Sequence, residues 1–230
     1  RLISESLYQS SIQLQIELDE RKLVEEKIRQ QAARTEALAS FTQVLTQANQ
    51  DYQLVLETVV RRAAELLGDG ASIFFYASDD EYLQLAAVYN PNPNAIEVFR
   101  SEMQARPIRI TEGIYAQVLT KDESVLIASI SQDELIERAA PERRDYYRKL
   151  PFHSMMLAPL HAQGKILGML GLARHTPNHS YTPDDLVFLQ DIADRSALAI
   201  FSAQLYQKLE QELAERKIAE ERYRLIFENA

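Results

Sequence analysis

The chain has 230 residues, of which 46% are hydrophobic and 26% charged, and its formal net charge is −9. That balance suits a folded domain, and its acidic average disfavours binding to a phosphate backbone. The absence of cysteine excludes disulfides, thiolate metal sites and cysteine catalysis within these residues, and agrees with a reducing, cytoplasmic location.

No run approaches the roughly 18 apolar residues of a membrane span. The start at Arg1 and the end in "RLIFENA" read as a piece cut from a longer protein. From Ser4 to Asn49 there is neither proline nor glycine, which predicts one long helix. Val24, Ile28, Gln31, Thr35, Leu38, Thr42 and Leu45 alternate steps of four and three, the spacing of a coiled-coil seam with polar positions in it. From Ala37 the stripe widens to include Phe41, Val44 and Ala48, as in a helix that packs on a domain. Asp51 is placed to cap a second helix, "YQLVLETVVRRAAELL", which Gly68 ends.

The period then changes. "ASIFFYA" from Ala71 and "YLQLAAVY" from Tyr82 read as a hairpin. Short helices are expected at Ala95 to Met103, in "GIYAQVLTKD", in "QDELIERA" and in "ERRDYYRKL", with short strands in "RPIRIT" and "SVLIAS". "HSMMLAPLHAQ" and "KILGMLGLARH" predict two strands around a turn at Gln163-Gly164. Thr182 caps a last helix with Pro183 first and Asp184 and Asp185 in its opening turn, and nothing breaks it through Phe227. Its seam runs through Ala199, Ser202, Tyr206, Leu209, Leu213, Arg216, Glu220, Tyr223 and Phe227 in the same three-four alternation, with Arg216 and Glu220 as polar seam positions. Both long helices carry one phrase, "ELDERKLVEEKIR" from Glu17 and "ELAERKIAEERYR" from Glu212. The echo reads as matching linkers beside a central domain.

The four histidines are His153, His161, His175 and His179. His175 and His179 have metal-like spacing, but Pro177 and Asn178 between them make it a loop coincidence, so no metal site is expected. No nucleotide-binding or nucleophile motif is present, so no catalysis is expected here. The "APERRDYYRK" stretch reads as an exposed helix.

"ASIFFYA", "TEGIYAQVLTKDESVLIAS" and "LPFHSMMLAPLHAQGKILGMLGLARHTPNHSYTPDDLVFLQDIADRSALAI" together resemble a GAF domain over about Glu36 to Phe201. "ERYRLIFENA" resembles the opening of a PAS domain. Such neighbours with charged linkers are typical of bacterial sensor histidine kinases, in two-component systems, and of cyclic-di-nucleotide enzymes. The resemblance implies an α+β fold: a central antiparallel sheet of about six strands, terminal helices on one face, inserted helices and loops on the other, and long coiled-coil extensions. It divides the chain into a linker at 1–35, a sensory domain at 36–201, a second linker at 202–222 and the start of a PAS-like domain at 223–230.

The same resemblance implies a non-catalytic sensory or relay module that dimerises through its terminal helices and binds a small molecule. A purely structural dimerisation spacer is the alternative. Val24, Ile28, Leu38, Leu45, Leu198, Leu205, Leu209 and Leu213 are the expected dimer and linker positions. Candidate pocket residues are Phe74, Tyr76, Tyr89, Arg109, Tyr115, Tyr146, Tyr147, Phe152, His153 and Met156, with Arg109 for an anionic ligand and His153 as the first guess for a haem ligand. A covalently bound bilin is excluded by the missing cysteine. The cyclic-nucleotide pattern of some relatives falls on Ala173, Arg174, Tyr181, Asp185 and Leu186, where only the aspartate is kept, so a cyclic nucleotide is not expected. Neither nucleic acid nor a membrane is an expected partner of these residues.

Overall fold

The computed structural model describes residues 2–48, 51–78, 81–177 and 179–228, with side chains for 13–48, 51–78, 81–177, 179–221 and 224. The chain divides into two compact units, one reaching Ser40 and the other starting at Phe41. The first unit is helical. Its helix α1 spans Leu2–Ala48 and so continues into the second unit. Within the first unit Val24 and Ile28 are exposed, and Arg21 pairs with Glu25 one turn on at 2.9 Å. The charged phrase from Glu17 is therefore helical and almost wholly solvated.

The second unit begins with the last turns of α1, where Phe41, Leu45 and Ala48 are buried at steps of four and three. Helix α2 (Tyr52–Leu67) starts where the Asp51 carboxylate accepts from the Leu54 amide at 3.1 Å. The strands are β1 (Gly70–Tyr76), β2 (Tyr82–Tyr89), β3 (Ile108–Arg109), β4 (Val125–Ile127), β5 (Ser154–Ala162) and β6 (Lys165–Arg174). They form one sheet in the order β3-β2-β1-β6-β5-β4, and every pairing is antiparallel. The β5–β6 turn has Gln163 and Gly164 at φ 52° and 72°, the left-handed pair that suits a tight hairpin. Between β2 and β5 lie α3 (Pro93–Ala105), α4 (Gly113–Thr120), α5 (Gln132–Arg138), a 3₁₀ turn at Pro141–Arg143 and α6 (Arg144–Lys149).

Helix α7 runs from Pro183 to Glu228. Its start is a reciprocal cap: the Thr182 hydroxyl accepts from the Asp185 amide at 3.2 Å, and the Asp185 carboxylate accepts from the Thr182 amide at 2.9 Å. Phe188, Leu189, Ile192, Ala193, Ser196, Ala197, Ile200 and Ala203 are buried at helical spacing. From Leu205 onward every described side chain is exposed, the second charged phrase included. Asn229 and Ala230 lie outside the described residues, so the PAS-like reading of the C-terminal stretch is seen only as the end of α7.

Period-two alternation divides the sheet into two unlike faces. The rows containing Ile73, Leu170 and Ala158, and Leu172 and Met156, are nearly or wholly buried beside α2 and α7. The alternate rows carry Phe74, Met169 and Leu157, which pack with Val118 and Leu119 of α4 and with Ile108. The α+β arrangement of terminal helices on one face and inserted helices on the other follows directly. It has a physical cause: strands apolar on both sides need cover on both sides.

Candidate functional site

The second face is not filled to the end. Between it and the inserted helices lies a cavity of about 80 Å³. Its floor is Ser72, Leu157, Met155 and Gly171, and its roof is Ala95, Phe99 and Met103 of α3, Tyr115 of α4, Arg143, and Tyr146 and Tyr147 of α6. Asn90 and His175 border it as well. Gly171 lets the floor pack closely, because a Cβ there would come within 2.9 Å of the Leu157 side chain and 3.4 Å of the Ser72 hydroxyl.

Aromatic rings run along one wall. Phe74 to Phe99 is 6.1 Å between centroids, Phe99 to Tyr146 6.5 Å, Tyr146 to Tyr147 4.9 Å and Tyr147 to Phe152 5.9 Å. Their tilted packing is the arrangement that ring quadrupoles favour. Tyr115, Tyr146 and Tyr147 are closely surrounded by protein atoms yet keep some accessible surface. All three line the cavity, and Tyr146 also borders an open groove beside Glu97 and Lys149. Burial pushes all three phenols above their ordinary range, against the opposing pull of Arg143, so each stays protonated and able to donate.

Arg143 ties the roof together. One of its Nη atoms lies 3.4 Å from the Glu102 carboxylate, and the other donates to the Arg106 carbonyl at 2.7 Å. Glu102, only 8% exposed, also accepts from Arg106 at 2.8 Å. Two guanidinium groups thus share one buried carboxylate. Near Asn90, the Asp69 carboxylate accepts from the His175 amide at 2.9 Å and from the Thr176 amide and hydroxyl at 3.1 Å. Burial opposes ionisation of Asp69, but these donors outweigh it and hold the carboxyl below its ordinary range. The His175 ring donates Nδ1–H to the Pro151 carbonyl at 2.7 Å. Among the described residues there is no cluster of three side chains able to hold a metal ion.

The structure places the sequence candidates unevenly. Phe74, Tyr89, Tyr115, Tyr146, Tyr147 and Phe152 border the cavity. Met156 does not, because it lies on the α7 face with none of its surface exposed, and its neighbour Met155 is the methionine in the wall. Tyr76 packs against the Phe74 cluster away from the cavity. His153 uses its backbone to join Arg174 and Ile130 at the sheet edge, and the histidine at the cavity is His175. Arg109 lies over the Tyr82 ring, 5.3 Å from its centroid, with its side chain 56% exposed, and the cation at the cavity is Arg143. "APERRDYYRK" is thus not merely an exposed helix, since Arg143, Tyr146 and Tyr147 come from it. Arg143 has no periodicity to reveal it, whereas Met155 could have been found by stepping two residues back from Leu157.

The positions of the cyclic-nucleotide pattern have structural work. Arg174 donates to the Leu67 carbonyl at 2.8 Å, closing α2, and its guanidinium stacks 4.2 Å from the centre of the Tyr181 ring. Asp185 caps α7, and of the five positions only Ala173 borders the cavity.

Comparison with known proteins bears on this geometry. The chain is 28% identical over 112 residues to the circadian input-output histidine kinase CikA of Synechococcus elongatus, a match covering 48% of this chain and 14% of that protein. Among solved structures, the GAF domain of a phosphoenolpyruvate-protein phosphotransferase from Coxiella burnetii superposes with a TM-score of 0.60 at 20% identity, covering 76% of this chain and 96% of that one. The corresponding domain from Acinetobacter gives 0.56 at 17% identity, over 75% and 95%. The family model described as the GAF domain matches residues 51–200, which take in the sheet, the inserted helices and the buried part of α7, and this chain therefore belongs to the GAF domain family.

Proposed function

We propose that this domain is a non-catalytic sensory and relay module of a signalling protein. A small molecule entering the cavity changes how the sheet packs on α7, and α7 carries the change onward. The observation that supports this most is strand β5. Met155 and Leu157 line the cavity, while Met156 and Ala158, which alternate with them, are fully buried on the α7 side. One strand therefore touches both the site and the outgoing helix, and close-packed interiors pass on small displacements.

Dimerisation through the helices is part of the proposal. On α7, Leu198 is 62% exposed, and Leu205, Leu209 and Leu213 are each half exposed or slightly more. A second copy would cover that stripe. Arg216 and Glu220, paired at 2.9 Å on one helix, would weaken the seam and permit two packings of near-equal energy. The full-length protein would be a sensor histidine kinase or a cyclic-di-nucleotide enzyme, with this segment in the cytoplasm and a PAS domain following. No described helix is long and apolar enough to cross a membrane.

The small cavity volume favours a second reading, a dimerisation spacer without a ligand. A thermal-shift panel of nucleotides, amino acids, haem and small aromatics separates the two, because only a ligand of the folded state raises Tm. No shift with any compound supports the spacer. Sedimentation at high micromolar concentration tests the dimer, and a monomer there removes that part.

A further inference from the structure

The geometry points to a small carboxylate as the ligand of this cavity, gripped by Arg143 and by the hydroxyls of Tyr115, Tyr146 and Tyr147. This rests on the cavity being a ligand site, as proposed above, and adds the chemistry of what enters it.

Three observations converge. First, the roof carries an excess of positive charge, because Arg106 and Arg143 both pair with Glu102. Among the described residues Glu102 is the carboxylate both touch. Arg143 spends its contacts on Glu102 and on the Arg106 and Pro107 carbonyls, which leaves donors of its five N–H groups for a ligand. Second, the three tyrosine hydroxyls have no hydrogen-bond partner among the described residues, and all three half-buried side chains line the cavity. Each of these hydroxyls can therefore donate to a group that enters the cavity. Third, the phenols remain protonated, so tyrosines and arginine all present donors at once. A ligand that matches needs several acceptor lone pairs and a negative charge, which is what a carboxylate group offers.

Size narrows the class further. A cavity of about 150 Å³ takes up benzene, so the present 80 Å³ fits a molecule of a few heavy atoms. The floor of Leu157 and Met155 and the rings of Phe99 and Phe152 suit a short apolar tail. A larger member of the class needs α3 and α6 to move apart, and Arg143, which bridges to Glu102 and Arg106 of the α3 segment, is the contact that would open.

The test uses the whole 230-residue chain. Acetate, propionate and benzoate are titrated at constant ionic strength beside acetamide, propionamide, benzamide and inorganic phosphate. Tyrosine ring signals are followed by NMR. The expected result is saturable binding of at least one carboxylate, with the amide of the same shape weaker by about tenfold or more, the loss that goes with a missing charge-assisted hydrogen bond. Arg143→Gln should weaken the carboxylate by a similar factor and bring its affinity close to that of the matching amide. Should Arg143→Gln fail to fold, Tyr115→Phe and Tyr146→Phe keep the rings and each should weaken carboxylate binding about threefold to tenfold. Amides that bind as well as carboxylates overturn the anion assignment while the cavity remains a ligand site. Phosphate binding without carboxylate binding overturns the choice of carboxylate. Binding of no probe, neutral or charged, overturns the assignment together with the ligand reading beneath it.

Discussion

Met155 and Met156 are adjacent in sequence and face opposite ways across one sheet. Met156 has none of its surface exposed and packs on the α7 side, while Met155 is half-buried in the cavity wall. The same contrast holds for the faces they belong to. One is closed by α2 and α7 with Ile73, Leu170, Ile192 and Ala197 completely buried. The other is covered by short helices and aromatic rings that do not quite meet. The lesson is that close packing and an unfilled cavity are separated by a single peptide unit, because one strand serves both faces.

The largest expected effect comes from testing that pair directly. Met156→Ala should cost about 2–5 kcal/mol in urea unfolding, since it opens a hole in a filled core. Met155→Ala should cost less than about half as much, because it enlarges a space already present. Equal costs would abolish the distinction between the faces.

Asp69 comes next, at the sheet end that both faces share. Its carboxyl is held below the ordinary range, so its contribution is present at neutral pH and is lost as pH falls through the lowered value, beneath the usual carboxylate pKa of about 4. Asp69→Asn should lower stability at pH 7 by about 1–3 kcal/mol, the worth of hydrogen bonds to a charged acceptor. Once pH falls below the lowered value, most of that difference should vanish. A difference independent of pH would mean the carboxylate form is not what matters.

A smaller effect is expected at the start of α7. Thr182→Ala removes the hydroxyl that accepts from the Asp185 amide and should cost about 1 kcal/mol in the same denaturation experiment. The smallest effect on folding, within about 0.5 kcal/mol, is expected for Leu209→Lys, whose side chain is 52% exposed. Its consequence should appear in sedimentation, as loss of the dimer. A stable dimer that survives Leu209→Lys and Leu213→Lys together would move the interface elsewhere.

Much of the fold was legible from the chain. Asp51 and Gly68 bracket α2 because capping is a local matter of one side chain and a few amides. The bounds of β2 followed from composition, and the turn at Gln163-Gly164 from its glycine. Bounds were less clear where elements are short. "RPIRIT" yields only the two-residue strand β3, because only Ile108 and Arg109 find partners on β2. The site was legible as a composition of aromatic rings but not as a set. Arg109 and Arg143 look alike in sequence, and only long-range placement sends one onto an exposed tyrosine and the other into the roof.

By itself, then, the sequence determined the helices, the hairpins, the absence of thiol chemistry and the two charged phrases, all set by local spacing or by composition. Tertiary structure alone decided which methionine of a pair meets the cavity, which arginine stands over it, and that Leu157 packs over Gly171 in its floor. Those outcomes depend on strand register and on contacts between residues far apart in the chain, where each side chain's role is fixed by its neighbours and not by its own type.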